Sequence, residues 1–133
     1  MKGLADTGFL VAFANRHDAY HEWAVGVAEQ VSDPLLTCEP VLAEAAFHLQ
    51  SVPLVLAMIR DGLVTIAFDC RSQLLQLGAL ADRYADRHPD LADLCMIRMS
   101  ELHPRHSVIT TDREDFRVYR RNKREAIPII CPR

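Results

Sequence analysis

The feature that most constrains this chain is an alternation. Short runs rich in apolar and β-branched residues, at 2–5 and in "PLLTC", "LVTIAFD", "SVITT" and "IPIIC", are separated by longer segments with helical periodicity. Runs of that length between turn formers read as strands. Helices between successive strands require crossover connections, which make the strands parallel and the fold an α/β sandwich. The "IPIIC" run is the optional fifth strand.

The helical segments carry their own boundary signals. "TGFLVAFA" starts after Asp6 or Thr7, either of which can cap it. "HDAYHEWAVGVAEQV" has Tyr20, Trp23, Ala24 and Val27 near helical spacing. Pro40 suits the first turn of "PVLAEAAFHLQ", and Gly62 closes "SVPLVLAMIRDG". Residues 71–87 read as one leucine-rich helix, broken by His88-Pro89. "DLADLCMIRMSEL" restarts the helix.

Composition narrows the classes. At 133 residues the chain is expected to form one domain over 1–133. A net charge of −3 argues against a generally basic nucleic-acid-coating protein, though not against a local basic patch. Cys38, Cys70, Cys95 and Cys131 form no CxxC pair, so a zinc ribbon is not expected. Reduced thiols, a start without a signal-peptide pattern and no apolar run of ~20 residues predict a cytoplasmic protein without a membrane span.

The acids carry the chemistry. In open parallel sheets ligands bind beyond the carboxyl ends of strands, where Asp6 and Asp112 fall. Each could equally be a cap or turn former. Glu44 lies within the nearly apolar "VLAEAAFHL", where a carboxylate either faces solvent or needs a partner. Asp90 suits an N-cap, and Asp93, one turn further, would at least favour the helix dipole. Were Asp6, Glu44, Asp93 and Asp112 to share one pocket, their repulsion would demand protonation or a bound cation. All-oxygen ligands select Mg²⁺ or Mn²⁺, whose characteristic chemistry is phosphoryl transfer.

With these residues in view, the sequence resembles the PIN-domain ribonucleases, and among them the VapC-type toxins of toxin–antitoxin pairs. The matching pieces are "LADTGFLVAF", "LLTCEPVLAEAAFHL", "HPDLADLCMI" and "VITTDREDFRVYR", in the family's order. The resemblance implies a PIN-like three-layer α/β/α sandwich with a central, mainly parallel sheet of four or five strands. It implies Asp6, Glu44, Asp93 and Asp112 as catalytic, metal-binding acids, with Thr7, Asp90, Thr110 and Asp115 supporting them. Gly8 stands where the family tolerates small polar residues. The family further implies Mg²⁺-dependent (or Mn²⁺-dependent) endoribonuclease activity, an RNA substrate, a small antitoxin partner and a homodimer.

Six basic residues, Arg113, Arg117, Arg120, Arg121, Lys123 and Arg124, follow Asp112. If the segment is helical, Arg117, Arg120 or Arg121, and Arg124 share a face. Next to an acidic metal pocket that strip would hold RNA phosphates; alone it would be a solvated face. His17 and His21 are expected on a polar helix face and His48 as a buried, hydrogen-bonded histidine. Trp23, Tyr20, Met58, Met96 and Met99 are expected in core or dimer packing. Two readings compete with the nuclease. A non-catalytic PIN-like module would bind RNA or protein with a residual site. An aspartyl-phosphate enzyme would need a second acid or a late lysine that the sequence lacks.

Overall fold

A computed structural model describes residues 1–133. Its central sheet has five parallel strands in the order β3-β2-β1-β4-β7. They are β1 (Gly3–Ala5), β2 (Leu35–Thr37), β3 (Val64–Ile66), β4 (Ser107–Ile109) and β7 (Ile129–Ile130). "IPIIC" therefore does supply the fifth strand. Seven helices fill the intervals: α1 (Thr7–Ala14), α2 (His21–Glu29), α3 (Glu39–Leu49), α4 (Val52–Arg60), α5 (Leu74–Arg83), α6 (Leu91–Leu102) and α7 (Arg113–Val118).

Strand order places the chemistry. From β1 the chain steps outward to β2 and β3, then returns past β1 to β4 and continues to β7. The order thus reverses between β1 and β4, the position where α/β sheets open a crevice at their carboxyl ends. By the right-handed rule for parallel crossovers, the connections before and after that reversal lie on opposite faces. The result is the three-layer sandwich.

The core is what the strand composition dictates. Leu4, Leu35, Val64, Val108 and Ile109 are almost inaccessible, and Leu4 sits between Leu36 and Val108 in register. The polar groups among them are satisfied: Thr37 Oγ1 donates to the Ala5 carbonyl at 3.0 Å. Helix α6 is buried along most of its length, through Ala92, Leu94, Cys95, Met96, Ile97, Met99 and Ser100.

Two sequence expectations are corrected. Residues 71–87 do not form one helix. A 3₁₀ turn (Arg71–Gln73) precedes α5 and another (Ala85–Arg87) follows it, ending at His88 in the left-handed region, φ 48°. The basic segment is not a continuous helix either. Helix α7 stops at Val118, and an antiparallel hairpin follows, β5 (Arg120–Arg121) with β6 (Glu125–Ala126). Asn122 and Lys123 turn it with φ of 50° and 72°, the positive values that a tight two-stranded hairpin favours. A helix through Arg124 is excluded by that turn, so Arg117, Arg121 and Arg124 do not share a helical face.

Candidate active site

The cleft at the β1/β4 reversal has a volume of about 620 Å³. It is lined by Asp6, Thr7, Gly8, Val11, Asp18, Ala19, Tyr20, Glu44, His48, Asp90, Asp93, Thr111, Asp112 and Asp115. All four acids singled out from the sequence are there. So are Thr7, Asp90 and Asp115, whereas Glu39 is exposed elsewhere and Glu114 faces solvent. No lysine or arginine lines the cleft.

Each acid is delivered by a different piece of backbone. Asp6 follows β1 as the N-cap residue of α1, yet its side chain makes no capping bond. Instead its Oδ2 accepts from Thr110 Oγ1 at 2.7 Å, and the same Thr110 oxygen accepts the Asp112 N–H at 2.9 Å. One buried threonine thereby ties the end of β1 to the end of β4. Asp112 caps α7 through Asp115 N–H (3.1 Å), and Asp90 caps α6 through Asp93 N–H (2.8 Å). For those two the capping explanation holds. Asp93, one turn inside α6, makes no cap; its Oδ2 accepts from Tyr119 Oη at 3.4 Å.

Close approach makes the cleft possible. A Cβ on Gly8 would lie 1.9 Å from Thr111 Oγ1, so a larger residue there would displace the Thr111 side chain that packs against the first turn of α1.

The electrostatics follow from burial. Removing a carboxylate from water disfavours its charged form. Burial pushes Asp6 up from 3.8 to about 6, with the charges of Glu44 and Asp112 adding to the effect and the Thr110 and Thr7 hydrogen bonds opposing it. Burial pushes Asp93 to about 7, reinforced by Asp90, Asp6, Asp115 and Asp112. Glu44 and Asp112 are raised as well, chiefly by burial. The Thr7 hydroxyl and His48 act against the rise at Glu44. Asp115 is the acid with a counter-ion, Arg87 Nη2 at 3.2 Å.

A divalent cation is tested against this arrangement by its donors. The acids are hard oxygen ligands, as Mg²⁺ and Mn²⁺ prefer, and Thr7 Oγ1 is buried without a hydrogen-bond partner of normal geometry. No group of three or more His, Cys, Asp and Glu side chains is arranged so as to hold a metal ion. The four acids share one cleft without standing at the spacing of ligands around an ion. In residue type the donors fit the ion; their spacing would have to close.

Sequence reasoning misplaced several residues. His48 is exposed and lines the cleft, not buried. Tyr20 is 43% exposed at the cleft and not part of the core, and Asp18, in the turn before α2, also reaches it. Arg87 and Tyr119 were not singled out at all. Trp23 does pack edge-on against Phe9, and Met58, Met96 and Met99 are buried. His17 and His21 form no pair: His17 lies in the turn and His21 Nδ1 contacts the Ala12 carbonyl at 2.8 Å.

The arginines are mostly engaged internally. Arg121 is buried, bonding the Ser100 and Pro104 carbonyls at 3.2 and 3.1 Å and pairing with Glu125. Arg113 is held by Cys131 Sγ and the Pro132 carbonyl, and Arg120 by the carbonyls of Arg117 and Tyr119. Arg117, Lys123 and Arg124 are exposed. Arg121 anchors the hairpin near the carboxyl end of α6, whereas Asp93 lies at its amino end, about 10 Å away along the axis. The hairpin thus meets the acids only at its start, through Tyr119, while its turn extends toward the other end of α6.

Fold and site together define a PIN-like α/β sandwich with an acid-lined cleft at its strand-order reversal. No family model matches the sequence, and no curated protein matches it. Among solved structures, the chain is similar to VapC20 of Mycobacterium tuberculosis, a toxin described as cleaving the sarcin-ricin loop. The TM-score is 0.64 at 20% identity, covering 76% of this chain and 82% of that one. The fold is therefore the PIN-like one that the sequence resemblance implies. No helix is long and apolar enough to cross a membrane.

Proposed function

We propose that residues 1–133 are one PIN-like domain that acts as a divalent-metal-dependent endoribonuclease. One observation carries the reading: Asp6, Glu44, Asp93 and Asp112 come from four separate elements to one cleft that contains no lysine or arginine. Acids gathered without cations are costly to fold, and a site for a cation explains them. Asp6, Asp93, Asp112 and Glu44 would hold Mg²⁺ or Mn²⁺. Such an ion supplies Lewis-acid stabilisation of phosphate charge and a more acidic water.

The chain's own groups do the rest. Thr110 fixes the Asp6 carboxylate and couples it to Asp112. Asp90 and Asp115 support the ends of α6 and the α7 turn, and Thr7 offers a free hydroxyl to a carboxylate or a water. Glu44, half-buried at the cleft with His48 beside it, is placed to take a proton from the attacking water. Arg117, Lys123 and Arg124 would meet RNA phosphates beyond the cleft, with Arg87 at its edge. Arg113, Arg120 and Arg121 we assign to holding the backbone.

The likeness to VapC20, a sarcin-ricin loop cleaving toxin, supports a toxin role on a structured RNA; a cytoplasmic location, an antitoxin that covers the cleft and a homodimer are proposed with it, as the sequence resemblance implies. The donor spacing favours a second reading, a non-catalytic RNA- or protein-binding module of the same fold. Cleavage of total RNA in Mg²⁺ or Mn²⁺ separates the two. The expected result is metal-dependent cleavage, abolished by EDTA and reduced at least ~100-fold by Asp6→Asn or Asp93→Asn, each folded. Undiminished cleavage by both variants would overturn the nuclease site; binding without turnover in the unmodified protein would establish the second reading.

A further inference from the structure

Next to the acid cleft, on helix α6 two residues past Asp93, one thiol meets another from the β3–α5 connection, and a third, Cys38, follows β2. Cys70 and Cys95 are free, with their sulfurs 3.6 Å apart. No hydrogen bond of normal geometry joins Cys38 to either sulfur. Cys131 is separate, bonded to Arg113. Cys38 and Cys95 are fully buried, whereas Cys70 is partly exposed. Cys70 is thus the member of the cluster that a small oxidant can reach, with a second thiol already in contact behind it.

We propose that Cys70 and Cys95 form a modification site: a dithiol that hydrogen peroxide or a small organic peroxide closes to an intramolecular disulfide. The Cys70 thiolate attacks one peroxide oxygen, the O–O bond breaks, and the departing oxygen takes up a proton as water or alcohol. Cys70 is then a sulfenic acid. The Cys95 sulfur attacks the Cys70 sulfur, the S–O bond breaks, and hydroxide leaves with the Cys95 proton as water. Two thiols lose two electrons in total, and the peroxide gains them.

The fold can accommodate the bond. Sulfurs in a disulfide lie about 2.05 Å apart, so the pair must close by about 1.5 Å. Helix α6 cannot supply that movement, because Met96 and Ile97 beside Cys95 are locked in the core. The other side can. Cys70 lies between β3, an edge strand, and the short 3₁₀ turn, flanked by exposed Asp69, Arg71 and Ser72. Oxidation therefore draws the β3–α5 connection onto α6, the helix that carries Asp93.

The test uses the full chain in a Cys131→Ser background and does not depend on the nuclease reading. The protein is treated with hydrogen peroxide, alkylated under denaturing conditions and mapped by peptide mass. The expected product has a linked Cys70–Cys95 peptide pair, one remaining alkylatable thiol at Cys38, and full reversal by dithiothreitol. Its melting temperature rises on the order of 5–10 °C over the reduced form. Adding Cys70→Ser should abolish pair formation. A disulfide that persists in Cys70→Ser, Cys70 driven only to sulfinic acid, or no reaction would each overturn the proposal.

Discussion

The acid cleft and the arginine-rich segment behind it are neighbours in sequence and opposites in physics. In the cleft, Asp6 and Asp93 are held up to about 6 and about 7 by burial, and only Asp115 has an ion-pair partner. Arg113, Arg120 and Arg121, by contrast, are engaged with carbonyls, a thiol and Glu125. Satisfied charges build structure, whereas unsatisfied ones at a strand-order reversal await something from outside. The contrast also means that neutralising a charge should have opposite effects in the two regions.

The largest effect belongs to the cleft. A carboxyl whose folded pKa lies above its unfolded value binds its proton more tightly in the folded state. Stability is then greatest below about pH 4 as far as these groups are concerned, falls as pH rises to about 7, and levels off. For Asp6 alone the loss is on the order of 3 kcal/mol. Denaturant unfolding in EDTA across pH 4–8 should show the decline, and Asp6→Asn should make it shallower, the remainder coming from Asp93, leaving the variant more stable at pH 8. Mg²⁺ or Mn²⁺ should restore stability to the unmodified protein at pH 8 but not at pH 5. A profile flat in both proteins would erase the contrast between the regions.

On the arginine side the sign reverses. Arg121→Ala removes bonds to Ser100 and Pro104 and leaves those carbonyls without their partner. The expected destabilisation is about 2 kcal/mol, with Glu125, itself half-exposed, contributing little of it. Chemical denaturation at pH 7 checks it. A change within ~0.5 kcal/mol would show that the arginine does not hold the hairpin against α6.

These signs explain what the sequence could and could not disclose. Strand positions were readable because Leu4, Leu35, Val64 and Val108 sit in compact apolar runs, and parallel order follows from intervening helices. Asp6 and Asp112 were readable as strand-end acids, since a parallel sheet carries its strand ends to one side. Asp90 was readable as the N-cap of α6, after Pro89, and it is one; for Asp6 and Asp112 cap and site roles could not be separated, and only Asp112 caps through its side chain. His48 looked buried only because its helix is apolar by composition; its angular position puts it at the cleft instead. Arg87 reaches Asp115 across 28 residues of sequence, and no local pattern encodes that. The hairpin was missed because the basic residues invite a helical reading, while the turn rests on Asn122 and Lys123 adopting positive φ.

The smallest expected effect probes what is left of the basic strip. Arg117 and Arg124 are exposed, and neither is pinned like Arg121. Replacing either with alanine should change stability by less than ~0.5 kcal/mol. If RNA runs from the cleft toward the hairpin, each replacement should weaken binding a few-fold and lower the salt dependence by about one released ion. Fluorescence anisotropy with a non-cleaving Asp93→Asn background, over a series of salt concentrations, measures both. Equal slopes in all variants would confine RNA contact to the cleft and to Arg87, and the arginine-rich end would then be structural throughout.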